Sequence, residues 1–248
     1  MKSVASGFLF SKATIAERRQ RGVVRLLKRA SGDKRTLEAV DELRDAILRS
    51  ILSEERDSGV IVALTGASSL EDEDAGTLPC LLARSFEVCR HRSVAFLDGR
   101  FDEDRFTSLS TFLGLERNAF LGNKGTTEIQ GFYNRTRPNT YFLKTASNEG
   151  SVDFFSDKSV KPFLDDLRKT FDITFLDMPP LLRSPSNIFI AQAVDYIFLT
   201  VDGGKTRLAE IEKCVEVTAQ QGAEISGVIV TAQRVPFWCR LLFRDYFL

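Results

Sequence analysis

The chain has 248 residues, of which 43% are hydrophobic and 27% charged, and this composition suits one sizeable globular core. Its 34 basic and 34 acidic residues cancel, so the overall charge gives no signal for nucleic-acid binding. No apolar run approaches the roughly 20 residues that a membrane-spanning helix needs, and MKSVASGFLF lacks the pattern of a signal peptide. Cys80, Cys89, Cys214 and Cys239 show no close pairing and predict free thiols, so we expect a cytoplasmic protein.

The first 35 residues are strongly basic. They contain ten Lys or Arg and two acids, a net charge of +8, so residues 36–248 carry −8. Within them, residues 14–30 form a predicted amphipathic helix with Arg18, Arg21 and Arg25 on one face. That face suits an anionic membrane surface or a partner protein, with an ordinary solvated face as the alternative. No aromatic residues alternate with the arginines, so we expect no nucleic-acid partner.

Short apolar runs alternate with helical patterns along the remaining chain. We predict strands at 59–65, 93–99, 140–145, 173–178, 195–202 and 224–232. We predict helices at 35–52, 77–91, 157–170, 185–193 and 206–222, and we expect residues 101–139, rich in Gly, Asn and Thr, to form a short helix and loops. This alternation predicts an α/β fold with a single doubly wound, mainly parallel sheet flanked by helices and preceded by a helical extension.

Four segments follow from these patterns. We assign residues 1–35 to a basic arm, 36–57 to a helix and linker, 58–235 to the α/β domain, and 236–248 to an aromatic C-terminal segment. Trp238 lies in that last segment, which is unusually apolar for a tail and serves as an interface in our interpretation. The alternatives are a docking helix, a membrane-interfacial anchor, or packing against the domain itself.

A loop with the sequence ALTGASSLEDEDAGT joins the first strand to the next helix, where phosphate-binding loops lie. Such loops need small residues, a lysine for the β and γ oxygens, and a Ser or Thr for magnesium. The positions that correspond to a nucleotide-binding loop are Gly66, Ser68, Ser69, Glu71, Asp72, Glu73, Asp74, Gly76 and Thr77. Four of them are consecutive acids, and no lysine occurs between residues 35 and 123. We therefore expect neither ATP nor another cofactor to bind there.

Two further strand ends carry aspartates, Asp98 in LDGR and Asp177 in FLDMPPLL. Together with the loop, these strand ends resemble the bacterial tyrosine kinases that control capsular and exopolysaccharide chain length and export. Those kinases belong to the deviant-Walker ATPases, with a P-loop NTPase-like fold. The segment FDITFLDMPP is the most specific match, because the family's Walker B strand also ends in Asp-x-Pro-Pro. The resemblance extends from about residue 36 to 235.

The resemblance implies roles for individual residues. In an active member, Asp98 and Asp177 would be catalytic, and both would hold magnesium together with Thr77. Asp41 and Arg44 in DELRDAILRS match a helix that serves ring assembly, although Ile47 replaces a second arginine. The loop Gly203–Thr206 (GGKT) corresponds to a scaffold element of the family. The family's C-terminal tyrosine cluster is reduced here to Tyr246.

The sequence thus favours a catalytically degenerate tyrosine-kinase-like protein that regulates or scaffolds exopolysaccharide or capsule biosynthesis. Its expected partner is a membrane chain-length regulator, and binding to an anionic membrane surface and homo-oligomerisation are further possibilities. We expect the protein in the cytoplasm, at the periphery of the inner membrane. Under this interpretation Asp98 and Asp177 are remnants of a former catalytic site, or turn residues at strand ends. The alternative is an active autophosphorylating kinase or ATPase that uses ATP and Mg²⁺. A positioning ATPase of the same fold would need the same missing lysine.

Overall fold

The computed structural model describes residues 34–52, 58–67, 77–86, 92–99, 116–124, 127–134, 137–146, 160–183, 185–202 and 206–231. Several predicted features lie outside these residues. They are the basic arm with Arg18, Arg21 and Arg25, loop residues 68–76 with Ser68, Ser69, Glu71, Asp72, Glu73, Asp74 and Gly76, and the C-terminal segment with Trp238 and Tyr246.

The described part alternates strands and helices as the apolar pattern predicts. The helices are α1 (Lys34–Leu52), α2 (Thr77–Phe86), α3 (Val160–Thr170), α4 (Pro185–Ala191) and α5 (Leu208–Gln220), with a 3₁₀ turn at Leu181–Arg183. The strands are β1 (Val60–Gly66), β2 (Val94–Asp98), β3 (Glu116–Lys124), β4 (Thr127–Asn134), β5 (Arg137–Ala146), β6 (Ile173–Asp177), β7 (Tyr196–Asp202) and β8 (Gly227–Thr231).

All eight strands form one sheet in the order β3-β4-β5-β2-β6-β1-β7-β8. The run from β5 to β8 is parallel throughout, and β3 and β4 extend it in antiparallel fashion. Helices α1 and α2 cover one face with the cluster around Phe175, while α3, α4 and α5 cover the other. The prediction of a doubly wound, mainly parallel α/β sheet is therefore confirmed.

Helix spacing explains which faces are buried. In α3 the buried side chains are Val160, Phe163, Leu164 and Leu167, the spacing of an amphipathic helix on a sheet. In α1, Val40, Ile47 and Ile51 form the corresponding stripe and pack in the same cluster as α2. Helix α1 is thus part of the same hydrophobic core as the sheet.

One prediction was wrong. Residues 101–139 were expected to form a short helix and loops, whereas residues 116–124 and 127–134 form the antiparallel strands β3 and β4. The Gly and Asn residues that suggest loops lie in strands whose pairing shifts register between Arg117 and Ala119 and between Phe120 and Gly122. Such bulges tolerate residues that a regular strand disfavours, and β4 is also paired on its other side with β5.

The amino-terminal edge of the sheet is held by an ionic cluster. Asp195 accepts hydrogen bonds from the backbone N–H of Ile61 at 2.8 Å and from Nε of Arg168 at 3.0 Å. Arg168 also donates to the carbonyl of Ala193 at 2.6 Å. These contacts tie α3 to the starts of β1 and β7 and leave the opposite edge for the loops that follow the strands. Within the described ranges, no helix is both long enough and apolar enough to cross a membrane.

Candidate functional site at the carboxyl edge of the sheet

The carboxyl ends of β1, β2 and β6 lie side by side, because β6 stands between the other two strands. Asp98 at the end of β2 and Asp177 at the end of β6 are register partners, and Asp177 is in turn the partner of Leu64 in β1. Neighbouring strands are about 4.8 Å apart, so the two aspartates are adjacent. The sequence places both aspartates at strand ends, and the structure brings them together.

Both aspartates project toward the face that carries α1 and α2. Asp98 lies two residues after Phe96 and Asp177 two residues after Phe175, and side chains two apart in a strand share a face. The rings of Phe96 and Phe175 stack in the cluster covered by α2, with centroids 5.0 Å apart. Asp177 is buried, with 7% of its surface exposed, and Asp98 is half-buried. This is the side on which the loop from β1 enters α2.

The Asp-x-Pro-Pro segment is fixed by hydrogen bonds to its surroundings. The N–H of Met178 donates to the carbonyl of Leu64 at 2.8 Å, and Oγ1 of Thr65 donates to the carbonyl of Pro179 at 2.9 Å. Nδ2 of Asn187 donates to the carbonyl of Pro180, also at 2.9 Å. Because proline lacks an N–H, only its carbonyl needs a partner, and two buried side chains supply one for each proline.

Thr65 and Asn187 are site residues that the sequence analysis missed. Each is buried, at 1% and 3% exposure. In the sequence, Thr65 is a β-branched residue in a predicted strand and Asn187 is a residue in a predicted helix, and neither position suggests a role in the site. No local signal distinguishes them from other residues of their elements. Thr65 and Asn187 reach their partners, 114 and 7 residues away, only because β1 and α4 pack against the Asp-x-Pro-Pro segment.

Hydrogen bonds hold the chain at the end of β1, where the acidic loop begins. The N–H of Ala67 donates to the carbonyl of Thr200 at 3.1 Å, and Oγ1 of Thr200 donates to the carbonyl of Thr65 at 3.0 Å. The thiol of Cys214 lies 3.6 Å from the carbonyl of Ala67. Gly66 is the last residue of β1, and Thr77 is the first residue of α2. The loop therefore leaves the fixed end of β1 at the same edge of the sheet as the two aspartates, and it ends where α2 begins.

The loop after β7 contains the GGKT sequence. Thr206 closes this turn: its Oγ1 accepts from the N–H of Asp202 at 2.9 Å, and its own N–H donates to the carbonyl of Asp202 at 2.9 Å. The hydroxyl of Thr206 thus stabilises the backbone at the start of α5. Lys205 lies outside the described residues.

Asp41 and Arg44 lie at the contact between α1 and α2. The Arg44 guanidinium, with its side chain 13% exposed, pairs with Asp41 at 2.9 Å and with Asp45 at 2.8 Å. It also donates to the carbonyl and the hydroxyl of Ser85 in α2, both at 3.1 Å. The hydroxyl of Ser85 donates to Asp41. These bonds use the planar fork of Arg44 within the chain, in a contact that joins α1 to α2.

The two aspartates alone offer few ligands for a magnesium ion. Within the described part of the chain, no group of three or more His, Cys, Asp or Glu residues is arranged to hold a metal ion. Asp98 and Asp177 are a pair, and Mg²⁺ in proteins is commonly held by one or two carboxylates together with the phosphates of a substrate. The pair fits magnesium only when a bound phosphate completes the ligand set. Magnesium binding therefore requires a loop that can bind phosphate.

The thiol of Cys214 is buried beneath the end of β1. Burial, with a smaller effect from the negative charge of Glu210, raises the pKa of Cys214 from 9.0 to about 11. A protonated thiol is a poor nucleophile and metal ligand. Cys214 therefore acts as a packing residue beneath the start of the acidic loop.

Comparison with solved structures identifies the fold. No protein-family model and no curated protein sequence matches the chain. The VpsO kinase domain is 18% identical, with a TM-score of 0.54 over 90% of this chain and 100% of that one. The kinase domain of the Escherichia coli tyrosine kinase Etk is 16% identical, with a TM-score of 0.62 over 81% of this chain and 78% of that one. The BceF tyrosine kinase domain is 18% identical, with a TM-score of 0.56 over 79% and 77%. The chain therefore has the P-loop NTPase-like fold of bacterial tyrosine kinase domains.

Proposed function

We propose that this chain is a catalytically degenerate tyrosine-kinase-like protein that regulates or scaffolds exopolysaccharide or capsule biosynthesis. One observation carries the proposal. The loop between β1 and α2 corresponds in sequence to a phosphate loop and follows β1 at the edge of the sheet where Asp98 and Asp177 end their strands, yet it has four consecutive acids and no lysine. A chain that keeps the fold and replaces the phosphate-binding chemistry is suited to protein contacts rather than phosphoryl transfer.

Electrostatic repulsion sets the size of the expected loss in phosphate affinity. Two unit charges at 4 Å interact by about 4 kcal/mol at an effective dielectric constant near 20. Exchanging an attractive lysine for repelling carboxylates therefore lowers phosphate affinity by several powers of ten, since each 1.4 kcal/mol is about tenfold. Asp98 and Asp177 add negative charge at the same edge of the sheet, and without a phosphate they lack the remaining magnesium ligands.

Charge and the motif resemblance support the proposed partners. The structural neighbours include kinase domains named VpsO, Etk and BceF, and the motif resemblance is to kinases that act with a membrane chain-length regulator. The basic arm of residues 1–35 supplies a cationic surface for anionic lipid headgroups or for an acidic cytoplasmic segment of such a partner. We place the protein in the cytoplasm at the inner membrane, with no bound cofactor.

Equilibrium titration with a fluorescent ATP analogue and Mg²⁺ tests the central claim. We expect no saturable binding in the micromolar range for the full chain. Micromolar affinity that is lost in Asp177→Ala but kept in Asp166→Ala would overturn the proposal. Asp166 is the control because it pairs with Lys169 on α3, which covers the opposite face of the sheet from the cluster around Phe175. A variant with Glu71, Asp72, Glu73 and Asp74 changed to their amides should bind the analogue more tightly than the natural chain, because the repulsion is removed.

An active autophosphorylating kinase or ATPase is the second candidate, and one observation favours it. Asp98 and Asp177 are register partners at the ends of β2 and β6, and the Asp-x-Pro-Pro segment is held rigidly against β1. In that case ATP and Mg²⁺ would bind at these aspartates and Thr77. Phosphotyrosine detection on purified protein, with and without ATP, separates the two candidates, and ATP-dependent phosphorylation at Tyr246 would favour the kinase.

A further inference from the structure

Four large apolar side chains stand out for their exposure among the described residues. They are Leu208, Val215, Val228 and Val230, which are 47% to 69% exposed. Two lie on α5 and two on β8, the strand that ends the sheet. We call this set the edge groove. Single exposed apolar residues are ordinary, but a cluster at one sheet edge marks a surface that something covers.

The β8 side of the edge groove is on the face that α5 covers. Val228 and Val230 are register partners of Leu199 and Val201 in β7, and partners in neighbouring parallel strands project from the same face. Leu199 and Val201 are buried in the cluster that contains Cys214 of α5. Helix α5 therefore lies over β7 and leaves the same row of side chains open on β8.

The α5 side of the edge groove faces β8. Cys214 points into the sheet, since its thiol lies 3.6 Å from the carbonyl of Ala67, and the next residue is turned by about 100° around the helix. In a right-handed crossover that turn directs Val215 toward the strand that follows the helix. Leu208, seven residues earlier, lies on the same side. The four side chains thus form the two walls of one groove.

The chain itself supplies an occupant that starts at the end of this groove. Strand β8 ends at Thr231, and residues 232–248 follow with the sequence AQRVPFWCRLLFRDYFL. Pro236 is suited to the first turn of a helix, and residues 236–248 equal α5 in number, so both would be about 20 Å long as helices. The four residues 232–235 span up to about 13 Å when extended, enough to reverse direction beside β8.

Charge supports the same occupant. Helix α5 exposes Glu212 and Glu216, four residues apart, on its outer side next to Leu208 and Val215. The C-terminal segment has Arg240 and Arg244 at the same spacing among apolar residues. We propose that residues 236–248 fold back onto the edge groove of their own chain, with the aromatic side chains against the groove and the two arginines beside the two glutamates.

Disulfide trapping tests the proposal, because Cys239 is native to the segment. We expect Val230→Cys, examined in the full-length chain, to form an intramolecular disulfide with Cys239 under mild oxidation, since a disulfide needs Cα atoms about 4.4 to 6.8 Å apart. Peptide mapping identifies the bond, and Cys239→Ser in the same background should abolish it. Absence of this bond at both Val228→Cys and Val230→Cys, or a bond only between two chains, overturns the proposal.

Trp238 gives a second readout, because it is the single tryptophan of the chain. We expect a blue-shifted emission that is independent of protein concentration, and acrylamide quenching that rises several-fold in Val228→Asp/Val230→Asp. These side chains are about half exposed, so the fold should survive, as circular dichroism will verify. Ala39→Asp, on the exposed side of α1, is the matched control and should leave quenching unchanged. Equal quenching in all three proteins, or a blue shift that appears only with anionic vesicles, overturns the proposal.

Discussion

Two buried threonines allow one substitution to be compared in opposite environments. Thr65 is 1% exposed and its hydroxyl donates to the carbonyl of Pro179 at 2.9 Å. Thr174 is 0% exposed, and its Oγ1 is the buried side-chain atom without a hydrogen-bond partner among the described residues. Valine replaces the hydroxyl by a methyl group of similar shape, so the change isolates the hydrogen bond.

The expected effects have opposite signs. Thr65→Val leaves the Pro179 carbonyl buried without its donor and should lower the free energy of unfolding by about 1–3 kcal/mol. Thr174→Val removes a hydroxyl that lost its hydrogen bonds to water on burial and gained none in the protein. This change should raise the free energy of unfolding by about 1 kcal/mol. With a urea m value near 3 kcal/mol/M, a loss of 2 kcal/mol lowers the midpoint by about 0.7 M.

Urea denaturation followed by far-UV circular dichroism measures both variants against the natural chain. Equal m values would show that the variants unfold from equally compact native states. If Thr174→Val lowers the midpoint as much as Thr65→Val does, the two hydroxyls have equivalent surroundings and the hydrogen-bond assignment at the Asp-x-Pro-Pro segment is wrong.

Three further outcomes are expected. Gly59→Ala should destabilise the fold by more than about 3 kcal/mol, because an added Cβ would lie 1.8 Å from the carbonyl oxygen of Phe171; a midpoint unchanged in urea would contradict this. Arg44→Lys keeps the charge but loses the fork that reaches Ser85, so it should lower the melting temperature by several degrees, whereas Lys34→Ala, at an exposed pair, should not. The raised pKa of Cys214, about 11 against 9.0, means that the unfolded chain loses this proton first. Stability should therefore fall as the pH rises from about 9 to about 11, and Cys214→Ala should abolish that component of the pH profile.

Much of the parallel sheet was predictable, because its strands are short continuous apolar runs separated by helical patterns. The strands β1, β2, β5, β6, β7 and β8 all lie where the sequence predicts them. The strands β3 and β4 were missed, since antiparallel pairing with bulges stabilises residues that have weak strand preference when considered locally. Tertiary pairing thus decided a segment in which local preference points to loops.

The candidate site divides in the same way. The chemical character of the loop between β1 and α2 is set by sequence alone, because its four acids and missing lysine decide its charge whatever its conformation. The adjacency of Asp98 and Asp177 depends on strand order, which places β6 between β1 and β2. The bond from Thr65 to Pro179 depends on packing between strands 114 residues apart, and the bond from Asn187 to Pro180 depends on how α4 packs against the Asp-x-Pro-Pro segment.

The sequence by itself therefore determined the fold class and the acidic character of the loop, since apolar periodicity and side-chain charge are local properties. Only the tertiary structure decided which strand ends meet, that Arg44 binds α2 within its own chain, and that apolar side chains of α5 and β8 are left exposed. Each of these depends on distances between residues far apart along the chain. Such distances are fixed when the hydrophobic faces of helices and sheet pack together.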